Sequence, residues 1–467
     1  MSKKYFVFPL LIILLLTFSF SQTNLSYAKL EGNIYHKDDG KPIEGAIIRI
    51  LGTDCIGISD EDGRYVIKNI PIVGEQETFT IDVYEPNLKS IVLRRPVILK
   101  AGTNQIDFSI SLSELFKKYF GNFDQEFPFS IKLTNDSCYL ISGKLTPINS
   151  NKSYLYLLKV DKYGRKVWGR TYSIGEDLLN AYVDINDNEY IVTATAINKD
   201  KGHDIYLLKL DSNGKIIWEK NYGRSDWDEM IKNFIITKER EIVAVGLVRI
   251  RNKESIKSDN YIVKFNKNGE KIWDKVYGDK GEDYFEKVIQ ASNGDYIIVG
   301  STTPTDKPSY ATYYRIDRNS NLIWNKEIKS EGPVYGKAII VGPQGYVIVG
   351  NEYKNLQQGI FLVYINDKGD VLIRKNYSKK GRDTYVTSIA KNSKNYILAG
   401  YVNENKINNS YILKLDLNWN FVGEIVERKD FNNFITDVIS EKDIYFIFLG
   451  YLIQDQNMDI YLYKISL

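Results

Sequence analysis

Residues 206–223, YLLKLDSNGKIIWEKNYG, return 55 positions later as residues 261–278, YIVKFNKNGEKIWDKVYG. Each copy reads as an apolar strand, a reversal at Asp-x-x-Gly or Asn-x-x-Gly, and a second strand whose Trp stands four residues after the Gly. The Asp or Asn position recurs at Asp161, Asp211, Asn266, Asp317, Asn366 and Asp416, and in degenerate form at Ser466. A separate marker, the small residue ending an apolar run, recurs at Gly143, Ala194, Gly246, Gly300, Gly350, Gly400 and Gly450. Both markers count seven. Each unit holds four strand-like runs and no helical period, as in residues 285–291, 296–300, 311–316 and 322–328. A four-stranded repeat of about 50 residues implies a propeller blade, so the expected architecture is a seven-bladed β-propeller over residues 113–467.

The ends specify how the ring closes. The seventh unit stops at Leu467 after its third strand, whereas residues 116–121, FKKYFG, repeat the spacing of Trp218 to Gly223. The missing fourth strand is therefore expected at the front, with residues 114–120 pairing with 460–466 so that no edge stays open.

Residues 29–112 differ. Short alternating runs are separated by Asp38-Asp39-Gly40, Asp60-Glu61-Asp62-Gly63, Pro71-Ile72-Val73-Gly74, Glu85-Pro86-Asn87 and Ala101-Gly102, a spacing that predicts a small β-sandwich. With the propeller this makes an all-β chain. The segment resembles the carboxypeptidase regulatory-like domains of transthyretin type, through Gly32-Asn33-Ile34, the run from Asp39 to Ala46, the run from Ser59 to Tyr65, and Ile70-Pro71. The resemblance implies a non-catalytic module. Asp60, Glu61 and Asp62 could be taken for a calcium site, but Asp-Gly here is read as a hairpin turn whose Gly takes positive φ.

In the repeats, Asp-x-x-Gly makes a tight turn, and Trp168, Trp218, Trp273 and Trp324 are expected between neighbouring blades. Ile373 and Gly423 stand in their place in blades five and six, where Trp419 is the nearest substitute. The Gly-x-x-x-Trp unit resembles the repeat of pyrroloquinoline-quinone propellers and, more loosely, the Asp boxes of sialidases. In both families this element staples the fold and other residues supply the chemistry. No cofactor-stacking or metal-binding set accompanies it, and the arginines are scattered over different repeat positions, so no cofactor, metal or catalytic residue is assigned.

Composition narrows the function classes. Lys plus Arg total 62 against 59 Asp plus Glu, which gives no field to attract nucleic acid. Two His and two Cys leave little for His-dependent chemistry, and Cys55 and Cys138 fall in different domains, so no disulfide is expected. Residues 1–28 read as a targeting segment: Lys3 and Lys4 precede the apolar run from Phe6 to Phe18, with cleavage points after Ser21 and Ala28. The protein is expected to be exported, to the periplasm, the cell surface or the medium, and membrane-bound only if that segment is retained.

The second-to-third connections, residues 144–153, 195–203, 247–259, 301–310, 351–359, 401–409 and 451–459, read as long loops on one face, against tight turns elsewhere. The inter-blade connections reach the same face with Asp177, Trp227, Asp228, Asp283, Tyr284, Tyr335 and Asp383. That face is the expected recognition surface. Its recurring Asp is read as structural, and Trp227, Tyr284 and Tyr335 are the candidate ligand contacts. His36 and His203 have no partner pattern that would make them catalytic. The expected function is non-enzymatic binding of a protein, cell-surface or glycan partner; a carboxylate-dependent glycoside hydrolase or lyase and a structural envelope component are the alternatives.

Overall fold

The computed structural model describes residues 25–37, 40–84, 91–110, 115–121, 124–198, 202–251, 257–278, 281–454 and 457–467. The chain divides after Ser113 into two compact units. The targeting segment up to residue 24, the turn residues Asp38 and Asp39, and the Glu85-Pro86-Asn87 turn lie outside the described residues.

The first unit is a sandwich of two four-stranded sheets. Leu25–His36 pairs with Arg64–Val73, Gly102–Gln105 and Phe108–Ile110 in one sheet; the other runs Ile56–Ile58, Ile47–Ile50, Gln76–Tyr84, Ile91–Lys100. Inward positions of both supply the core, including Leu30, Ile34, Ile48, Ile70, Ile81 and Leu99, as period-2 alternation demands. Asp60 Oδ1 accepts the N–H groups of Asp62 and Arg64, and Gly63 sits at φ 76°. The Asp60 carboxylate thus holds the hairpin turn. The first strand begins at Leu25, four residues ahead of the boundary expected from the sequence.

The described residues of the second unit form seven four-stranded blades. Phe116–Phe120 completes the seventh as its outermost strand, in antiparallel register Lys464↔Phe116, Leu462↔Lys118, Ile460↔Phe120. A single parallel bridge, Gln125↔Met458, joins this blade to the first. In each third-to-fourth turn the Asp or Asn side chain accepts the backbone N–H two and four residues on, as Asp211 does from Asn213 and Lys215 at 2.9 and 2.8 Å. The fourth position takes positive φ: Gly214 at 78°, Ser320 at 70° and Trp419 at 61°.

Two side chains clamp each of blades one to four to the blade that follows. Trp218 lies on the turn of the following blade, where a Cβ on Gly269 would strike its ring, and Trp273 and Trp324 donate their indole N–H to the carbonyls of Arg318 and Asp367. The Tyr four residues after the Trp donates its hydroxyl to the turn carbonyl: Tyr172 to Gly214, Tyr222 to Gly269, Tyr277 to Ser320 and Tyr377 to Trp419. Where Ile328 replaces that Tyr, Tyr313 of the third strand makes the bond to Gly369. At the junction of blades five and six the arrangement is reversed. Ile373 offers no ring, and Trp419 packs back from the turn itself, 4.8 Å from the Tyr364 ring and 6.1 Å from Tyr396.

The long loops expected between second and third strands are mostly not loops. Gly345–Lys354 and Gln357–Ile365 are joined by Asn355 and Leu356 alone, and Asn395–Glu404 and Ile407–Asp416 by Asn405 and Lys406, all four residues at positive φ. Such two-residue turns match strand twist. The strands run past their apolar stretch into polar residues because ladder hydrogen bonds do not depend on side-chain character. Residues 147–153 and 304–309 do remain irregular.

Candidate functional site: the central channel

The residues expected in inter-blade connections lie inside the innermost strands, Asp177–Asn186, Trp227–Ile236, Glu282–Gln290, Val334–Gly342 and Asp383–Lys391. Their first acidic or amide side chain caps the preceding blade: Asp177 accepts the N–H of Ser153, Asp228 that of His203, Glu282 that of Ser258, Asp383 that of Gln358, and Asn432 that of Asn408, at 2.9–3.1 Å. This is the structural use read from its recurrence. Asp283 departs from it, and accepts from the Thr302 hydroxyl of its own blade instead.

Six innermost strands carry a β-bulge at one repeat position, at Phe129, Lys232, Glu286, Lys337, Thr387 and Thr436, and in the second blade the bulge falls two ladder positions earlier, at Leu179. A bulge re-aims side chains locally. Six of these residues line a cavity of about 510 Å³ along the ring axis, to which all seven blades contribute. Lys337 lies 3.5 Å from Glu286, whose charge holds the ammonium above its usual range. Lys132 lies 3.2 Å from Asp184; burial opposes its charge, but Asp184 and Asp437 outweigh that and raise its pKa as well. Asp437 accepts from the Ser388 hydroxyl at 2.7 Å and from the Val438 and Ile131 N–H groups.

Aromatic rings line the channel as well, Phe127, Phe129, Tyr182, Tyr385 and Tyr401 among them. The chain of contacts runs Tyr182–Phe129–Phe127–Tyr451–Phe434–Tyr401–Tyr385, with centroids 4.6–6.0 Å apart. Tyr385 and Tyr401 stack within 14° of parallel. Three of these rings, Phe127, Tyr385 and Phe434, stand two residues before the bulge of their blade, the position that Tyr284 and Tyr335 occupy in blades four and five.

Two of the three candidates from the sequence thus come together. Tyr284 lies 6.0 Å from Lys232 Nζ, burial raises its pKa, and the charges of Lys337, Glu286 and Tyr335 act on it. Tyr335 accepts from the Ser309 hydroxyl at 3.2 Å. Trp227 stands apart, at the junction of blades two and three, with the Arg224 guanidinium 3.8 Å over its ring and Tyr261 edge-on at 6.2 Å. The sequence did not single out the channel residues Lys232, Glu286, Lys337, Tyr385 and Tyr401. Their signal was an aromatic or polar residue at fixed offset ahead of each apolar run, visible only once the bulge aligns the blades.

No known family's model matches the chain, and no curated protein matches it. Among solved structures, the chain is similar to Kuenenia stuttgartiensis hydrazine synthase at 12% identity, covering 73% of this chain and 95% of that one with a TM-score of 0.48. It is also similar to the β-propeller domain of the trilobed protease from Pyrococcus furiosus, at 10% identity over 75% and 96% with a TM-score of 0.44. A Pyrococcus horikoshii acylaminoacyl peptidase matches at 12% identity over 71% of this chain and 52% of its own, with a TM-score of 0.42.

Proposed function

We propose that this is an exported, non-enzymatic binding protein whose central channel takes a glycan, either free or displayed on a cell surface. One observation carries the reading: the channel is lined both by aromatic rings, Phe127, Phe129, Tyr182, Tyr385 and Tyr401, and by charged and hydroxyl side chains placed by successive bulges. Flat rings suit the apolar faces of sugars, and a few placed polar groups suit their hydroxyls. We take the sandwich for a carboxypeptidase regulatory-like module acting as spacer or second contact, and the blades for relatives of the pyrroloquinoline-quinone propeller repeat. Export accords with cleavage after Ser21, which leaves the strand Leu25–His36 whole; cleavage after Ala28 would remove its pairs with Ile70 to Val73.

The hydrolase alternative needs a carboxyl free to act as acid. Asp437 is taken up by three donors, which favours binding, whereas Glu286 stands 3.5 Å from Lys337 with its Oε2 making no hydrogen bond among the described residues. A glycan array with the mature protein tests the reading. Retention that Tyr401→Ala and Lys337→Met abolish and Trp227→Ala leaves intact supports it. Equal retention by all variants, or cleaved glycan after incubation, overturns it.

A further inference from the structure

At the bulge position of the innermost strands, Thr387 and Thr436 donate their hydroxyls to the backbone carbonyls of Ile435 and Leu449, at 2.9 and 3.2 Å. One residue further on, Ser130, Asn233 and Asp437 accept the N–H groups of Val183, Val288 and Ile131 in the following blade at 3.1–3.3 Å. In these blades both positions serve the backbone. Lys232 and Lys337 occupy the first of them and Lys287 the second, and an ammonium can accept nothing. Among the described residues Lys232 and Lys287 make no hydrogen bond or ion pair, although both are half-buried and line the channel.

Four ammoniums, those of Lys132, Lys232, Lys287 and Lys337, line the channel with two carboxylates, Glu286 and Asp437. Lys132 is held 3.2 Å from Asp184, with the Asp437 charge also acting on it, and Asp437 is filled by its three donors. Lys132 is thus fully compensated. On blades three to five the balance is the reverse: Glu286 stands alone among Lys232, Lys287 and Lys337, 3.5 Å from the last. One carboxylate cannot neutralise three ammoniums, so these blades present net positive charge to the channel.

That charge lies beside the rings proposed to hold a sugar. Lys232 Nζ is 6.0 Å from the Tyr284 ring, and the Lys337 charge acts on the hydroxyls of both Tyr284 and Tyr401. Three residues beyond the bulges, Ile235, Ile289, Ile340 and Ile439 add apolar side chains to the same lining. Apolar surroundings strengthen the pull of a charge on its opposite and raise the cost of leaving it alone. The nearby hydroxyls are committed, Thr387 and Thr436 to backbone and Ser388 to Asp437. A ligand therefore meets ammoniums as its strongest free donors, and these call for an anionic acceptor.

We propose, on the footing of the glycan reading above, that the glycan taken by the channel is acidic, with Lys232 and Lys287 seating the oxyanion of a sugar carboxylate or sulfate ester. Lys337 stands between that seat and Tyr401, so the charged group of the sugar lies towards blades three to five and its apolar face towards the rings.

The test is biolayer interferometry of the mature protein over immobilised polygalacturonate, its methyl ester, dextran sulfate and dextran. At least one acidic polymer is expected to bind about tenfold or more tighter than its neutral counterpart. That margin should shrink as NaCl rises from about 0.05 to 0.5 M. Polygalacturonate alone assigns a uronate, dextran sulfate alone a sulfate ester, and both together a seat that reads charge; each supports the proposal. Lys232→Met with Lys287→Met removes the margin yet melts within about 2 °C of the wild type, since neither lysine holds another residue. Glu286→Gln does the opposite and tightens the acidic polymer by about threefold or more, because it removes the one opposing carboxylate. Neutral polymers bound as tightly as acidic ones, or a double lysine variant that keeps the full margin, overturn the acidic assignment and leave the glycan reading standing. Failure of all four polymers to bind overturns both.

Discussion

Lys464 Nζ lies 2.7 Å from Glu441 Oε2, and both side chains are buried to 1% exposure or less. Tyr139, from the first blade, donates its hydroxyl to the same oxygen at 2.5 Å, so the pair ties the last blade to the first. Removing one partner strands a charge. Lys464→Met is expected to cost about 3–5 kcal/mol in urea unfolding, and adding Glu441→Leu to recover a large part of it.

The closing strand carries Phe116 against Ile131, Tyr139 and Leu462 in the core between blades seven and one. Deleting residues 114–121 should destabilise the propeller by at least the roughly 3–5 kcal/mol that loss of one buried Phe costs. Trimming residues 148–152, in an irregular connection, should stay within about 1 kcal/mol. Equal melting temperatures for the two deletions would refute the closure.

The hydroxyl clamp and the reversed Trp predict different magnitudes. Tyr222→Phe forfeits one hydrogen bond to Gly269 and should cost about 1 kcal/mol. Trp419→Gly relieves a left-handed backbone worth about 1 kcal/mol but empties a core position worth about 3–5 kcal/mol. The net change should remain destabilising, and a gain in denaturant midpoint would show that the ring is not bearing on Tyr364.

Glu424 accepts from Lys379 at 3.1 Å and from Tyr411 at 3.0 Å, and also pairs with Arg382. Burial works to raise its pKa, but these partners outweigh burial and hold it below the usual carboxylate value. A depressed carboxyl stabilises above its unfolded pKa of about 4.3 and loses that contribution as pH falls through the folded value. Glu424→Gln should therefore cost about 1.5–3 kcal/mol at pH 7 and much less at pH 3, measured as unfolding free energy at both.

Legibility followed sequence distance. Each Asp-x-x-Gly turn closes within five residues, as at Asp211 to Lys215, so its chemistry stands in the chain. The Trp residues announced the blade interfaces for the same reason, while the Tyr that follows each was quoted in the repeat without its partner 42–47 residues on being apparent. Loop lengths were overestimated because strand ends were judged by apolar side chains, and polar strand ends such as Asn351 to Lys354 pair through backbone alone.

The sequence by itself determined seven blades, a sandwich ahead of them, and the strand that closes the ring, because periodic turns and apolar alternation are local and repeated seven times. Only the tertiary structure decided what faces the axis and what faces the neighbouring blade. One bulged residue per innermost strand shifts the alternation and sends Lys232, Glu286 and Lys337 into the channel. Lys287 likewise acquires meaning only beside Ser130, Asn233 and Asp437, whose bonds to the following blade join residues 53, 55 and 306 positions apart and so leave no local pattern in the chain.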